Sequence, residues 1–200
     1  MNRLVVATTN RGKLKEIGKI LEDFVTCLLS PSDFPCLPEV VEDGETFEEN
    51  AVKKALSAAR ATGLPALADD SGLVVDALGG LPGVRSARFA GEFATDEENN
   101  EKLLCELAGI SGEARRAAFC CVIAVCCPDG TCCTFKGELS GFILEAPRGR
   151  EGFGYDPLFL VPAYGKTLAE LPLEVKNVVS HRGTALLALK DYFSKHGGVI

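Results

Sequence analysis

The chain has 200 residues, 46% hydrophobic and 24% charged, a balance that suits one globular core or a two-lobed one. It excludes long disorder or a fibrous chain and leaves little length for a second independent domain. The net charge of -7 withholds the basic surface that a phosphate polymer needs, so no nucleic-acid polymer is expected as partner, while a few local cations can still serve a small anion.

No apolar run approaches the roughly 18 residues of a membrane span, and Met1-Asn2-Arg3 leads directly into Leu4 to Ala7 without a signal-peptide pattern. A cytoplasmic location without a membrane partner is the expectation. Nine cysteines, an odd count in a chain large enough to make its own core, predict reduced and packed thiols and not a disulfide framework.

Arg3 to Ala7 reads as a buried strand. Thr8-Thr9-Asn10 then supplies turn and N-cap chemistry for a helix marked by Leu14, Ile17 and Leu21. Prolines and acids from Pro31 to Gly44 mark an irregular connection, which ends at the capping-box pattern Thr46-Phe47-Glu48-Glu49. A helix follows from Phe47 to Thr62, with Gly63 as its stop. Ala66-Leu67-Ala68 and Leu73-Val74-Val75 read as two strand pieces flanking a turn or bulge at Asp69-Asp70-Ser71-Gly72.

Gly79 to Gly83 is a loop, and Thr95 to Glu98 repeats the capping pattern for a helix through Leu107, closed near Gly109. Ala117 to Cys127 and Thr131 to Leu139, around Pro128-Asp129-Gly130, carry a β-hairpin signal, and Phe142 to Leu144 continues the sheet. Gly149 to Pro157 is a glycine-rich loop and Leu158 to Val161 a strand. Thr167 to Leu171 reads as a short capped helix, Lys176 to Ser180 as a connection and Gly183 to Phe193 as the last helix. Strands and helices alternating around a hairpin predict an α/β fold, an elongated mixed β-sheet flanked by helices in two lobes, with residues 1–200 forming a single domain.

Five segments carry candidate chemistry, each with a plainer reading beside it. Thr8-Thr9-Asn10-Arg11-Gly12-Lys13 joins a strand to a helix N-terminus, where hydroxyls, N–H groups and Lys13 suit phosphate; the alternative is an N-cap followed by a solvated lysine. It is neither a Walker nor a G-x-G-x-x-G pattern. Asp69-Asp70, enclosed by apolar residues, is costly to bury unless a cation or hydrogen bonds hold it, and oxygen ligands suit Mg²⁺. Alternatively one carboxylate caps a turn and the other meets solvent. Glu42-Asp43-Gly44-Glu45 is a further ligand source or a charge cluster at a helix start, and Asn50 and Lys54 share one face of the following helix. Gly152-Phe153-Gly154-Tyr155-Asp156-Pro157 suits either a stacked base or a turn with two core aromatics. Lys176 and Ser180-His181-Arg182 place cations before a helix start, where the macrodipole disfavours them unless an anion or ligand is served.

The paired cysteines Cys120-Cys121, Cys126-Cys127 and Cys132-Cys133 all fall on the predicted hairpin. Adjacent residues on a strand point to opposite faces, unlike the ligands of a zinc knuckle, so core packing is the expected role. With two histidines in the chain, a histidine-rich metal centre is excluded.

Taken in order, these segments resemble the inosine triphosphate pyrophosphatase family, the non-standard purine NTP pyrophosphatases. The resemblance runs nearly end to end. It is carried by Thr8 to Lys13, Thr46-Phe47-Glu48-Glu49-Asn50-Ala51, Ala68-Asp69-Asp70-Ser71-Gly72-Leu73, Ser86-Ala87-Arg88-Phe89, Gly152 to Pro157 and Ser180-His181-Arg182-Gly183. The Asp-Asp-Ser-Gly form resembles the bacterial branch.

The resemblance implies an active site in a central cleft between two lobes, a homodimer, and hydrolysis of ITP, dITP and XTP to the monophosphate and pyrophosphate. It implies that Thr8, Thr9, Asn10, Arg11, Gly12, Lys13 and Lys54 hold the triphosphate, and that Glu42 and Asp70 organise Mg²⁺. Asp70 would activate water with Asp69 beside it. Ser71, Phe153, Gly154, Tyr155, Asp156, Lys176, His181 and Arg182 would line the nucleotide site, with Phe153 stacked on the base. Arg182, whose guanidinium offers only donors, is the expected reader of the O6 acceptor. The alternatives are a catalytically silent nucleotide-binding module and a related pyrophosphatase acting on other modified nucleotides, pyrimidines included.

Overall fold

The computed structural model describes residues 2–197; Met1 and residues 198–200 lie outside it. Seven strands form one sheet in the order β2-β1-β3-β4-β5-β6-β7. They are β1 (Arg3–Val6), β2 (Cys27–Leu29), β3 (Ala66–Val75), β4 (Arg116–Cys126), β5 (Cys132–Ile143), β6 (Phe159–Val161) and β7 (Lys166–Thr167). β1 runs parallel to β2 and β3, whereas β6 is antiparallel to β5 and β7. The sheet is therefore mixed and carries helices, as the alternation of elements predicted. The chain forms two compact units, one from residues up to 70, 121–137 and 181 onward, the other from residues 71–120 and 138–180.

In the first unit the period of two along each strand sorts side chains between two helical layers. Leu4 and Val6 of β1, Leu67 of β3 and Cys121, Ile123 and Val125 of β4 share a core with α1 (Arg11–Leu21) and α5 (His181–His196). The intervening Ala68, Val122, Ala124 and Cys126 pack instead with Ala51 and Ala55 of α2 (Phe47–Thr62). Local chemistry starts α1 and bounds α2 where expected. Asn10 caps α1, and Thr46 with Glu49 forms the capping box of α2, which ends at Gly63 in the left-handed conformation. Gly137 on β5 lacks a side chain because a Cβ there would run into the His181 carbonyl and stand 2.7 Å from the Ala185 nitrogen of α5.

The second unit buries Leu73, Val75, Phe119 and Ile143 of the strands with Leu103 and Leu107. Leu103 belongs to α3 (Asp96–Glu106), which is capped by Thr95. Arg115 is buried here and fully engaged, donating to the carbonyls of Ile143, Leu107, Ile110 and Leu144 at 2.7–3.0 Å.

Four departures from the sequence reading concern the candidate residues and the cysteines. Asp69 to Gly72 is not a turn, because β3 continues through it: both carboxylates find cations and the Leu73 N–H donates to Ser86 Oγ at 2.8 Å. Lys176 lies in a helix, α4 (Leu173–Val179), where a connection was expected. The last helix begins at His181, so His181 and Arg182 occupy its first turn instead of preceding it. Finally, Cys126 and Cys132 are joined in a disulfide. The turn between β4 and β5, closed by Cys127 N–H to the Thr131 carbonyl at 2.8 Å, sets these two residues opposite each other with Cα atoms 4.1 Å apart. Comparing neighbours along a strand misses such a pair, which exists only across the hairpin.

Burial pushes the Cys121 thiol up to about 12, with the Asp69 charge adding to it, so this cysteine is held unreactive. The tryptic peptide from Ala117 to Lys136 holds six cysteines. Unfolded without reductant, it should take up four alkyl groups, six less the two of the disulfide, and the full set after reduction. Complete alkylation without reductant would rule the disulfide out.

Candidate active site

Asp69 and Asp70 are adjacent on β3 and almost wholly buried, 3% and 6% exposed. Being adjacent, they face opposite sides of the sheet. Asp69 turns to the layer of α1 and α5, where Lys13 Nζ lies 2.9 Å from its Oδ2 and Arg182 Nε 3.1 Å from the same atom. Arg182 also gives Nη1 to Glu16 at 2.6 Å, and both of those side chains are buried. Burial alone would raise the Asp69 carboxyl, but Lys13 and then Arg182 override it and hold the group well below the usual carboxylate range. Asp69 is a fixed anion.

Asp70 turns to α2. Its Oδ1 accepts from Lys54 Nζ at 2.8 Å, its Oδ2 from Asn50 Nδ2 at 3.4 Å, and Lys54 reaches Glu42 at 3.2 Å. Here burial prevails: it pushes the Asp70 carboxyl up, Lys54 opposes it, and Glu42 adds to the rise. One strand thus presents two neighbouring carboxylates tuned in opposite directions by different helices.

A cavity of about 340 Å³ in the first unit is lined by the polar residues Thr8, Thr9, Lys13, Glu39, Glu42, Lys54 and Asp69 and by the apolar residues Ala7, Pro31, Leu37, Pro38, Val40 and Ala58. Asn10 is engaged locally. Its Oδ1 accepts from the Gly12 and Lys13 N–H groups at 2.8 and 3.1 Å, the N-cap that the sequence offered as the alternative. Arg11 is exposed.

In the second unit Asp156 Oδ2 accepts from Lys176 Nζ at 2.7 Å and from the Phe153 N–H at 3.3 Å. Lys176 Nζ lies 5.7 Å from the centre of the half-buried Phe153 ring. Gly152 sits at φ +87°, and a Cβ there would strike the Asp156 carboxylate, so glycine is needed both for the backbone and for the close approach. Tyr155 is buried in the core and donates its hydroxyl to the Ser86 carbonyl at 2.8 Å, while the Gly154 N–H goes to Asp96 at 2.6 Å. Both contacts tie the loop from Gly152 to Pro157 into the second unit. Ser71 is half-buried on β3.

The Ham1 family model matches residues 4–192 of this chain. The chain belongs to the Ham1 family. It is 64% identical over 197 residues to the dITP/XTP pyrophosphatase of Geobacter sulfurreducens, covering 98% of this chain and 99% of that one. It is 57% identical over 192 residues to the dITP/XTP pyrophosphatase of Syntrophobacter fumaroxidans, covering 96% and 82%. The solved structure of a HAM1 protein from Coxiella burnetii superposes with a TM-score of 0.89 at 43% identity, covering 98% of this chain and 100% of that one. The family resemblance read from the motifs is borne out.

Within this Ham1-family chain the structure brings Lys13, Glu42, Lys54, Asp69, Asp70, His181 and Arg182 into one unit, and Ser71, Phe153 to Asp156 and Lys176 into the other. It alters the reading of Arg182. With its side chain 3% exposed and two nitrogens given to Asp69 and Glu16, the guanidinium serves carboxylates, and the geometry does not carry its selection of O6. The same pairs explain how a cation is tolerated in the first turn of α5, where the helix dipole opposes it.

Glu16, which pairs with Arg182, was not singled out for the site, and Asn50, which donates to Asp70, was noted only as sharing a helix face with Lys54. Both could have been found by one signal, a polar residue on the inward stripe of an amphipathic helix: Glu16 between Lys13 and Ile17, Ile20, and Asn50 beside Ala51 and Lys54. The donor set also suits a hard cation. Among the described residues no group of three or more His, Cys, Asp or Glu side chains is arranged to hold a metal. Glu42 and Asp70, however, converge on the Lys54 ammonium, and two carboxylates match what Mg²⁺ takes from protein when phosphates and water complete its shell.

Arg182→Met keeps the aliphatic stem but leaves Glu16 and Asp69 buried without this cation, so it should destabilise the Ham1-family fold by about 3–5 kcal/mol in urea unfolding. Lys190→Met, which removes a surface pair with Asp23, should cost at most about 1 kcal/mol. Equal losses in the two variants would show that the buried network does not hold the fold.

Proposed function

We propose that this chain hydrolyses deaminated purine nucleoside triphosphates, dITP, XTP and ITP, to the nucleoside monophosphate and pyrophosphate, so removing them from the nucleotide pool. The observation that carries the reading is the pair Asp69 and Asp70. One is locked as an anion by Lys13 and Arg182, and the other shares Lys54 with Glu42, beside a cavity lined by Thr8, Thr9 and Lys13. The names of the relatives, dITP/XTP pyrophosphatases at up to 64% identity, support the substrate class.

In this reading Lys13 and Lys54 neutralise the triphosphate, and the Thr8 and Thr9 hydroxyls orient it. Asp70 accepts a proton from water as the water oxygen bonds to the α-phosphorus. The bond from that phosphorus to the bridging oxygen breaks, and its electron pair leaves with pyrophosphate. Glu42 and Asp70 would hold Mg²⁺, which when bound supplies charge neutralisation at the phosphate oxygens. Asp69 keeps Lys13 in place through their 2.9 Å pair. Positioning and charge neutralisation then provide most of the acceleration.

On the second unit, Phe153 is proposed as the stacking platform for the base, with Ser71, Asp156 and Lys176 as its polar companions. Stacking accepts any purine. A preference for a 6-keto over a 6-amino purine therefore falls to hydrogen bonds at the base edge, a kind of contact that can reach about 10⁴-fold selectivity. A homodimer in the cytoplasm completes the proposal.

A panel of natural and deaminated nucleoside triphosphates, scored for pyrophosphate and orthophosphate, tests it. ITP, dITP and XTP should yield pyrophosphate far faster than ATP, with activity lost to a chelator and restored by Mg²⁺, and ¹⁸O from water should appear in the monophosphate. Asp70→Asn should lower the rate at least about 100-fold. Equal cleavage of ATP and ITP would refute the substrate class, ¹⁸O in pyrophosphate the site of attack, and nucleotide binding without turnover the enzyme itself.

A further inference from the structure

Asn50 is 1% exposed on the inner stripe of α2, one turn before Lys54. A buried amide costs stability unless its polar atoms are met, and the partners of this one are specific. Its Oδ1 accepts from the Gly44 N–H at 2.8 Å, and its Nδ2 lies 3.5 Å from the Gly44 carbonyl and 3.4 Å from Asp70 Oδ2. Gly44 is two residues beyond Glu42. One side chain therefore ties the backbone of the Glu42 segment to the Asp70 carboxylate.

The segment is gripped from a second side. Glu49 Oε2 accepts from the Glu45 N–H at 2.8 Å and the Thr46 N–H at 3.3 Å, fixing the chain just beyond Gly44 to the first turn of α2. Gly44 is tightly enclosed: a Cβ there would stand 2.6 Å from Asn50 Oδ1 and 2.9 Å from Glu49 Cβ. It is not among the glycines with positive φ, so the requirement for glycine is one of space.

We propose that Asn50 is the positioning residue that sets the spacing of Glu42 and Asp70 for a divalent cation, with Gly44 as its seat. The inference rests on the reading of Glu42 and Asp70 as the magnesium-holding pair. Mg²⁺ requires near-ideal octahedral geometry, and the long flexible stem of Lys54 cannot set the distance between two carboxylates. A short branched amide packed between a helix and a loop can. An amide is also the right chemistry, because it offers an acceptor to the Gly44 N–H and a donor to Asp70, whereas a carboxylate would offer Asp70 only repulsion.

The test is a Mn²⁺ titration of the full chain without nucleotide, free Mn²⁺ being read by electron paramagnetic resonance. It compares wild type, Asp70→Asn, Asn50→Leu and Gly44→Ala, with circular dichroism to verify folding. Asn50→Leu, near in volume but without polar atoms, and Gly44→Ala, which displaces Asn50 without removing it, should each weaken Mn²⁺ by about 10–100-fold, as for other partners that orient metal-binding carboxylates. The half-saturating Mg²⁺ for ITP cleavage should rise in step, while KM for ITP at saturating Mg²⁺ stays near wild type.

A folded Asn50→Leu with wild-type Mn²⁺ affinity overturns the proposal, provided that Asp70→Asn has lost affinity. If Asn50→Leu does not fold, Gly44→Ala decides on the same terms. If Asp70→Asn binds Mn²⁺ as tightly as wild type, the pair is not the metal site, and the proposal falls with that reading and not through Asn50.

Discussion

A β-strand points successive side chains to opposite faces, and β3 does so with two buried carboxylates in succession. The rest of the first unit follows from meeting that condition. An ionised carboxylate taken out of water is costly unless cations and hydrogen bonds replace its hydration, and no single helix can serve both faces of a sheet. Asp69 draws on Lys13 of α1 and Arg182 of α5, Asp70 on Asn50 and Lys54 of α2. Three helices bound largely by apolar contacts are thereby fixed in register against one strand.

The two environments have opposite outcomes because their charge balances differ. Around Asp69 two cations stand close, with Glu16 shared on the far side of Arg182, and the carboxyl is held ionised. Around Asp70 a single ammonium is shared with a second carboxylate, and burial raises the group. Neighbouring residues of the same type thus acquire different states, one a permanent anion that holds a lysine, the other a carboxyl pushed up by burial. A glutamate or arginine on the inner face of a helix is normally a fault in a core. Here Glu16 and Arg182 are the complement that makes the fault at Asp69 tolerable.

The second unit uses the same device on a smaller scale. Lys176 and Asp156 are buried against each other beside the Phe153 ring, and Gly152 takes a left-handed backbone to let the carboxylate approach. Tyr155, between Gly154 and Asp156 in sequence, goes the other way into the core.

What the sequence by itself determined was a set of features decided within a few residues. The cap at Asn10, the box at Thr46 and Glu49, the stop at Gly63 and the turn at Pro128 to Gly130 were legible because they depend on local hydrogen bonds and backbone freedom. The motifs, taken jointly, were legible as a family for a related reason: chemistry-bearing residue types recur there at set spacings. Only tertiary structure decided whether Asp69 and Asp70 would break the strand, since that depended on cations 56 residues before, from 13 to 69, and 113 residues after. It also decided that Arg182 meets carboxylates and that Cys126 meets Cys132 across a hairpin. Asn50 is the clearest case: its place on the α2 stripe was readable, but its partners, a loop backbone and a carboxylate on another element, were not. Periodicity reports which way a side chain points, and only the packed chain supplies what stands there.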